Sequence, residues 1–211
     1  MDAPFQATVD TMAALREIYR EPHQLVIDKK VTALTEPIQR FIASAPFCLL
    51  ATSDTDGLCD VSPRGGPPGF VRVLDEQRIV IPDLTGNNLI DSLSNIVANG
   101  NVGLLFVIPG RDETLRLEGK AVLTTDPALL ALWDDELRTP KVAIGIEVRT
   151  AYMHCAKAFR RGRVWDAESW SELDAPDACE LLPGATTPEI TKLIRDALDE
   201  GYVQALADEK A

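Results

Sequence analysis

The chain has 211 residues, with 33 acidic and 21 basic side chains and a formal net charge of −12. Its composition, 45% hydrophobic and 26% charged, is that of a soluble globular protein, and the length suits one compact domain with terminal additions and no need of disulfide staples. The acidic balance argues against nucleic acid or an anionic membrane as the main partner, because phosphate backbones are bound by basic faces; a local basic patch for a small anion remains compatible with it.

The opening MDAPFQATVD is acidic and lacks the basic flank and apolar run of a secretory signal. No stretch approaches the roughly 18 consecutive apolar residues of a membrane helix, so a cytoplasmic location is expected. Cys48, Cys59, Cys155 and Cys179 are far apart and form no C-x-x-C pair, which predicts reduced thiols. With His23 and His154 as the only histidines, no metal site is expected.

In chain order, Met12, Leu15, Ile18 and Tyr19 have the spacing of a short helix. A second helix is predicted over residues 37–45, with Thr35 as cap, Pro37 in the first turn and Ile38, Phe41 and Ile42 on one face; Pro46 ends it. Residues 47–53 and 58–62, around the turn cluster Ser53-Asp54-Thr55-Asp56-Gly57, read as a β-hairpin. The run from Pro63 to Gly69 reads as a rigid loop unsuited to any regular element. Residues 70–74 and 78–81 form a further strand pair, and residues 87–99 a helix with Leu89, Ile90, Leu93, Ile96 and Val97 on one face. Strands follow at 102–108 and 114–124 around Pro109-Gly110, then a helix capped by Asp126 and running to about 137, and a final strand at 142–149. A basic stretch from Lys157 to Arg163 and a helix from Pro188, with Ile190, Leu193, Ile194, Ala197 and Leu198 on one side, complete the chain. Six or seven short strands joined mostly by hairpins, with too few helices for βαβ order, predict a small antiparallel barrel with helical additions, mainly β within the α+β class.

The most informative segment runs from Arg78 to Ser92. A buried strand enters a tight loop at Gly86, and a helix is expected to open at Asn87-Asn88, where unpaired N–H groups and the helix dipole favour an anion such as a phosphate monoester. Ser92, one turn on, adds a neutral donor; Thr85 or Asn87 would equally serve as plain helix caps. Arg64, in the stiff frame Ser62-Pro63-Arg64-Gly65-Gly66, is a second anion feature, because a guanidinium suits a phosphate dianion; a surface turn arginine is the simpler alternative. The island Lys157, Arg160, Arg161, Arg163 with Trp165 reads either as a ligand clasp or as a solvated face paired with Asp166 and Glu168. Asp134-Asp135-Glu136 reads as a solvated helix face. Cys59, Cys155 and His154 form no recognisable catalytic set.

The segments Asp60-Val-Ser-Pro-Arg-Gly65, Pro67-Pro-Gly-Phe-Val-Arg72, Ile81-Pro-Asp83, Gly86-Asn-Asn88 and Asn95-Ile-x-x-Asn99 together resemble the pyridoxamine 5′-phosphate oxidase-like flavoproteins, in particular a bacterial branch that binds FMN. The resemblance covers about residues 30–168. It implies a split antiparallel β-barrel homodimer with FMN at the subunit interface, and a small-molecule electron donor or substrate as the other partner. Carried onto this chain, it implies that Arg64 with Gly86, Asn87, Asn88 and Ser92 holds the FMN phosphate, and that Gly65 beside Arg64 also belongs to the cofactor site. Ile81, Pro82 and Asp83 would flank the ribityl chain and ring edge, and Lys157, Arg163 and Trp165 would reach the partner subunit's flavin. The domains expected are a helical extension at 1–45, the split-barrel FMN domain at 46–165 and a helical segment at 166–211. The chain departs from the family in having Asn87 and Asn88 where better-known members carry Arg or Lys, and in lacking their C-terminal Arg-x-His pattern. The function implied is an FMN-dependent oxidoreductase; a flavin-holding module without turnover and a reductase using the deazaflavin F420 are the alternatives.

Overall fold

A computed structural model describes residues 5–171, 173–183 and 187–210. Three short helices open the chain: α1 (Met12–Ile18), α2 (Gln24–Asp28) and α3 (Glu36–Ser44). Strands β1 (Phe47–Ser53), β2 (Cys59–Gly65), β3 (Arg72–Val73) and β4 (Arg78–Pro82) lead to α4 (Asp91–Ala98). Then come β5 (Asn101–Val107), β6 (Thr114–Thr124), α5 (Pro127–Leu130) and β7 (Ala143–His154). Helices α6 (Lys157–Arg161), α7 (Ala167–Trp170) and α8 (Pro188–Asp208) follow.

The seven strands form one antiparallel sheet in the order β2-β1-β5-β6-β7-β4-β3. It curls into an open, barrel-like α+β architecture whose two edges, β2 and β3, stay unjoined. This is the predicted split barrel. Its core is supplied by the period-two faces of the strands: Leu50, Ile79, Ile81, Phe106, Leu117, Ile144 and Ile146 are fully buried, with Ile42 of α3 closing one end. A register shift between β6 and β7 falls at Glu118/Gly119, a bulge that only glycine fits, since a Cβ on Gly119 would meet the Glu147 carbonyl oxygen. Val80, Trp133, Leu137 and Ala143 make a second, smaller cluster, in which the Trp133 indole N–H donates to the Phe70 carbonyl at 2.8 Å.

Both hairpins and α3 form as expected, and Asp126 caps α5 by accepting from the Ala128 N–H at 2.9 Å. Five expectations are corrected. Pro63 and Arg64 lie inside β2 rather than in a loop; β2 is an edge strand, where a proline's missing N–H costs no ladder bond. The helix expected from Asn87 starts at Asp91 instead, because Asn88 and Ile90 hold left-handed φ of 60° and 56°. Leu89, Ile90 and Val97 are consequently exposed, while Ser92 and Ile96 take the buried face. The helix at Asp126 ends at Leu130 and continues only as a 3₁₀ turn, Ala131–Trp133. The last strand runs on to His154, and the strand expected over 70–74 is confined to β3. Helix α2 was not foreseen.

Candidate functional site

Strand β2 places Asp60, Ser62 and Arg64 at alternate positions, half buried, while Cys59, Val61, Pro63 and Gly65 face out. The register with β1 sets them opposite the buried Thr52, Leu50 and Cys48 respectively. Facing this row is the segment from Asp83 to Leu93, the loop that leads into α4 together with the first residues of that helix. The two walls enclose a cavity of about 540 Å³, lined also by Arg138, Lys141 and Glu209.

The walls are tied together by polar contacts. The Ser92 hydroxyl donates to Asp60 Oδ2 at 2.7 Å, and Ser62 Oγ lies 3.0 Å from Ser92 Oγ. Thr52 Oγ1 donates a long 3.5 Å bond to the same Asp60 oxygen and accepts from Asn95 Nδ2 at 3.0 Å. Asn99 Nδ2 donates to the Ser53 carbonyl at 2.7 Å, so both asparagines pin α4 to the end of β1. Across the cavity, Arg64 Nη1 donates to Asp83 Oδ1 at 3.0 Å. Arg64 Nε is buried with no hydrogen-bond partner, an expensive state for a charged donor. Beneath it, burial pushes the Cys48 thiol up to about 12, with the Arg64 charge acting in the opposite sense. In the loop, Asn87 Oδ1 accepts the Leu89 N–H at 3.0 Å, a local turn that replaces the expected helix start.

Arg64, Asp83, Gly86, Asn87, Asn88 and Ser92 are therefore gathered round one cavity. Ile81 and Pro82 are buried beside Asp83 and do not line it, and Gly65 faces outward near the Pro46 carbonyl. Lys157, Arg163 and Trp165 do not line it either. They sit on and after α6, where Arg163 pairs with Asp166 at 2.8 Å and Arg160 with Asp112 at 2.9 Å. Trp165 stacks on Phe159, ring centroids 5.7 Å apart, and its N–H donates to the Arg111 carbonyl at 2.8 Å. Asp60, Arg138 and Lys141 were missed as site residues. The alternation Asp60-x-Ser62-x-Arg64 carried the signal for the first, whereas nothing local marks Arg138 or Lys141. Among the described residues, no helix is long and apolar enough to cross a membrane.

An open, seven-stranded antiparallel barrel with helical additions is the architecture of the split-barrel class. A family model for pyridoxamine 5′-phosphate oxidase matches residues 34–155, more than half of the chain and the whole sheet. The chain belongs to that family. Similar solved structures include HupZ of Group A Streptococcus, which is 21% identical with a TM-score of 0.47, the match covering 56% of this chain and 92% of that one. General Stress Protein 26 of Bacillus anthracis is 20% identical with a TM-score of 0.42, covering 57% and 92%. An F420 reductase is 20% identical with a TM-score of 0.37, covering 54% and 93%. No curated protein matches the chain.

Proposed function

We propose that this protein binds FMN in the cavity between β2 and α4 and acts as an FMN-dependent oxidoreductase. The observation that carries the reading is Arg64 Nε, a buried cationic donor without an acceptor in a cavity of about 540 Å³. That volume falls within the roughly 300–1,000 Å³ of small-molecule sites. A phosphate beside Arg64 would supply the missing acceptor and compete with Asp83 for the guanidinium. Gly86, Asn87 and Asn88 would close the other side of the phosphate, with polar but uncharged groups. Asp83 would face the ribityl part, Ser92 would hold the neighbouring wall through its contacts with Asp60 and Ser62, and Gly65, Ile81 and Pro82 would support it from behind.

FMN, when bound, supplies hydride and electron transfer; the protein supplies position, donors and exclusion of water. No acid or base is required of the side chains around the cavity, and none is assigned. The reading extends to a homodimer in which Lys157, Arg163 and Trp165 of each subunit approach the other's cofactor. The stacked Phe159–Trp165 pair supports this, since it gives that segment a rigid aromatic face. The strand unit of 46–165 would then carry the cofactor, with 1–45 and 166–211 as additions to it, and the location would be cytoplasmic.

The test is the absorbance spectrum of the purified protein and the mass of any chromophore released by heat, followed by titration with FMN. Flavin bands, or saturable binding of added FMN, are expected. A colourless protein that binds no FMN overturns the reading, and binding of F420 in its place would redirect it to the deazaflavin. Reduction of the bound flavin by NADH or NADPH separates an oxidoreductase from a protein that only stores it.

A further inference from the structure

The hydroxyl protons along the cavity wall can be counted, and the count decides what the wall recognises. A carboxylate only accepts, so the single proton of the Ser92 hydroxyl goes to Asp60 Oδ2, 2.7 Å away. Ser92 then has no proton left for Ser62, and their 3.0 Å contact requires Ser62 to be the donor. The Thr52 proton is also directed at Asp60 Oδ2, while Asn95 Nδ2 donates to Thr52. All three hydroxyls are thus spent inward. What is left toward the cavity is acceptor capacity: the lone pairs of Ser62 Oγ and the second Asp60 oxygen, Oδ1, which has no hydrogen-bond partner among the described residues. Asp60 also forms no ion pair there. A carboxylate on this wall repels a phosphate and attracts a hydroxyl.

We infer that Asp60, with Ser62, is a specificity-determining acceptor for ligand hydroxyl groups, so that the cavity prefers a phosphate monoester of a polyol to a bare or simple alkyl phosphate. This rests on the reading that Arg64 holds a ligand phosphate, and it assigns the adjoining stretch of the same wall to the hydroxyl-bearing chain next to that phosphate. The site is therefore divided by polarity: a donor, Arg64, at one end of β2, and acceptors, Ser62 and Asp60, two and four residues back along the same face. Asp60 and Ser62 are half buried on the open cavity wall, so a bound ligand lacking the hydroxyls would cover these acceptors without pairing them, and that is the source of the discrimination.

The experiment compares the binding of ribitol 5-phosphate and ethyl phosphate by calorimetry, with FMN titrated in parallel, for the wild-type protein and Asp60→Asn. The wild type is expected to bind ribitol 5-phosphate at least about tenfold more tightly than ethyl phosphate. Asp60→Asn should reduce that ratio to about twofold or less while binding ethyl phosphate no worse than the wild type. A general loss of structure would weaken both ligands together and would not move the ratio. Ser62→Ala, which leaves the Ser92–Asp60 bond in place, is the second variant and should lower the ratio partially. Equal affinities for the two phosphates in the wild type, or an unchanged ratio in either variant while its affinity for ethyl phosphate matches that of the wild type, overturns the inference. FMN binding with a flat ratio overturns it alone, whereas a clear preference for ribitol 5-phosphate without FMN binding overturns only the FMN reading.

Discussion

From Phe47 to His154, strands β1 and β4 to β7 bury near-complete faces, whereas α1, α2 and α8 bury no residue at all. The contrast is not one of hydrophobic content. Helix α8 carries Leu193 and Val203 at 69% and 72% exposure, residues of the same type that are fully buried in the sheet. The difference lies in what each region packs against. Each strand is flanked by others, so its inward side chains meet those of several elements at once. The terminal helices touch the rest of the chain at a few points, such as the Arg138 N–H donating to the Glu209 carbonyl at 2.8 Å. Stability therefore belongs to the sheet, and the cavity inherits its rigidity from β2 and α4 rather than from the ends of the chain.

The deepest test of that division is Trp133→Ala. It empties the centre of the second cluster and leaves the Phe70 carbonyl without its donor, so the loss should be about 3–5 kcal/mol in a urea melt. Arg64→Ala comes next and should separate site from scaffold. FMN binding should weaken by about 1.5–3 kcal/mol, the scale of a charged hydrogen bond, while the melt stays cooperative; unchanged flavin affinity in the folded variant would remove Arg64 from the site. Thiol chemistry gives a third separation. Cys59 and Cys155 are exposed, whereas Cys48 and Cys179 are buried, so a thiol reagent at pH 8 should modify two cysteines quickly and two only on unfolding. Because the folded Cys48 pKa is raised from 9.0 to about 12, unfolding releases its proton more readily above pH 9. The stability it contributes is whole below pH 9 and is lost as the pH rises towards 12, and Cys48→Ala should flatten that decline. Smallest of all, Val203→Ser on α8 should change stability by no more than about 0.5 kcal/mol; a larger loss would show that another chain covers this helix in solution.

The parts of the fold legible in the sequence were those in which local pattern and tertiary setting agree. The β1–β2 and β5–β6 hairpins have alternation, turn residues and length all pointing one way, and α3 has its proline, its period and the stop at Pro46. What could not be read depended on position in the sheet or on a backbone choice. Pro63 reads as a loop residue until β2 is known to be an edge. The start of α4 is delayed by left-handed Asn88 and Ile90, and an isoleucine in that conformation announces nothing in a hydrophobic pattern. The site divides in the same way. Arg64, Gly86, Asn87 and Asn88 stand in motifs that advertise an anion, while the Asp60–Ser92 bond joins residues 32 apart. Asp60 was visible as part of a motif, but its role depends on which neighbour takes which proton, and that is set only once β2 and α4 face each other.

The placement of Trp133 also gives the protein an optical signature. It is fully shielded, while Trp165 is half-buried and Trp170 is 53% exposed, so native fluorescence is the sum of one short-wavelength and two longer-wavelength emitters. Unfolding moves chiefly the first. A double replacement of Trp165 and Trp170 by phenylalanine would leave a single indole inside the sheet's smaller cluster, close in the fold to Val80 and Leu137. Its colour would then register the opening of that cluster separately from any motion of the chain's ends, and quenching of it by an added flavin would place the isoalloxazine within energy-transfer range of β4.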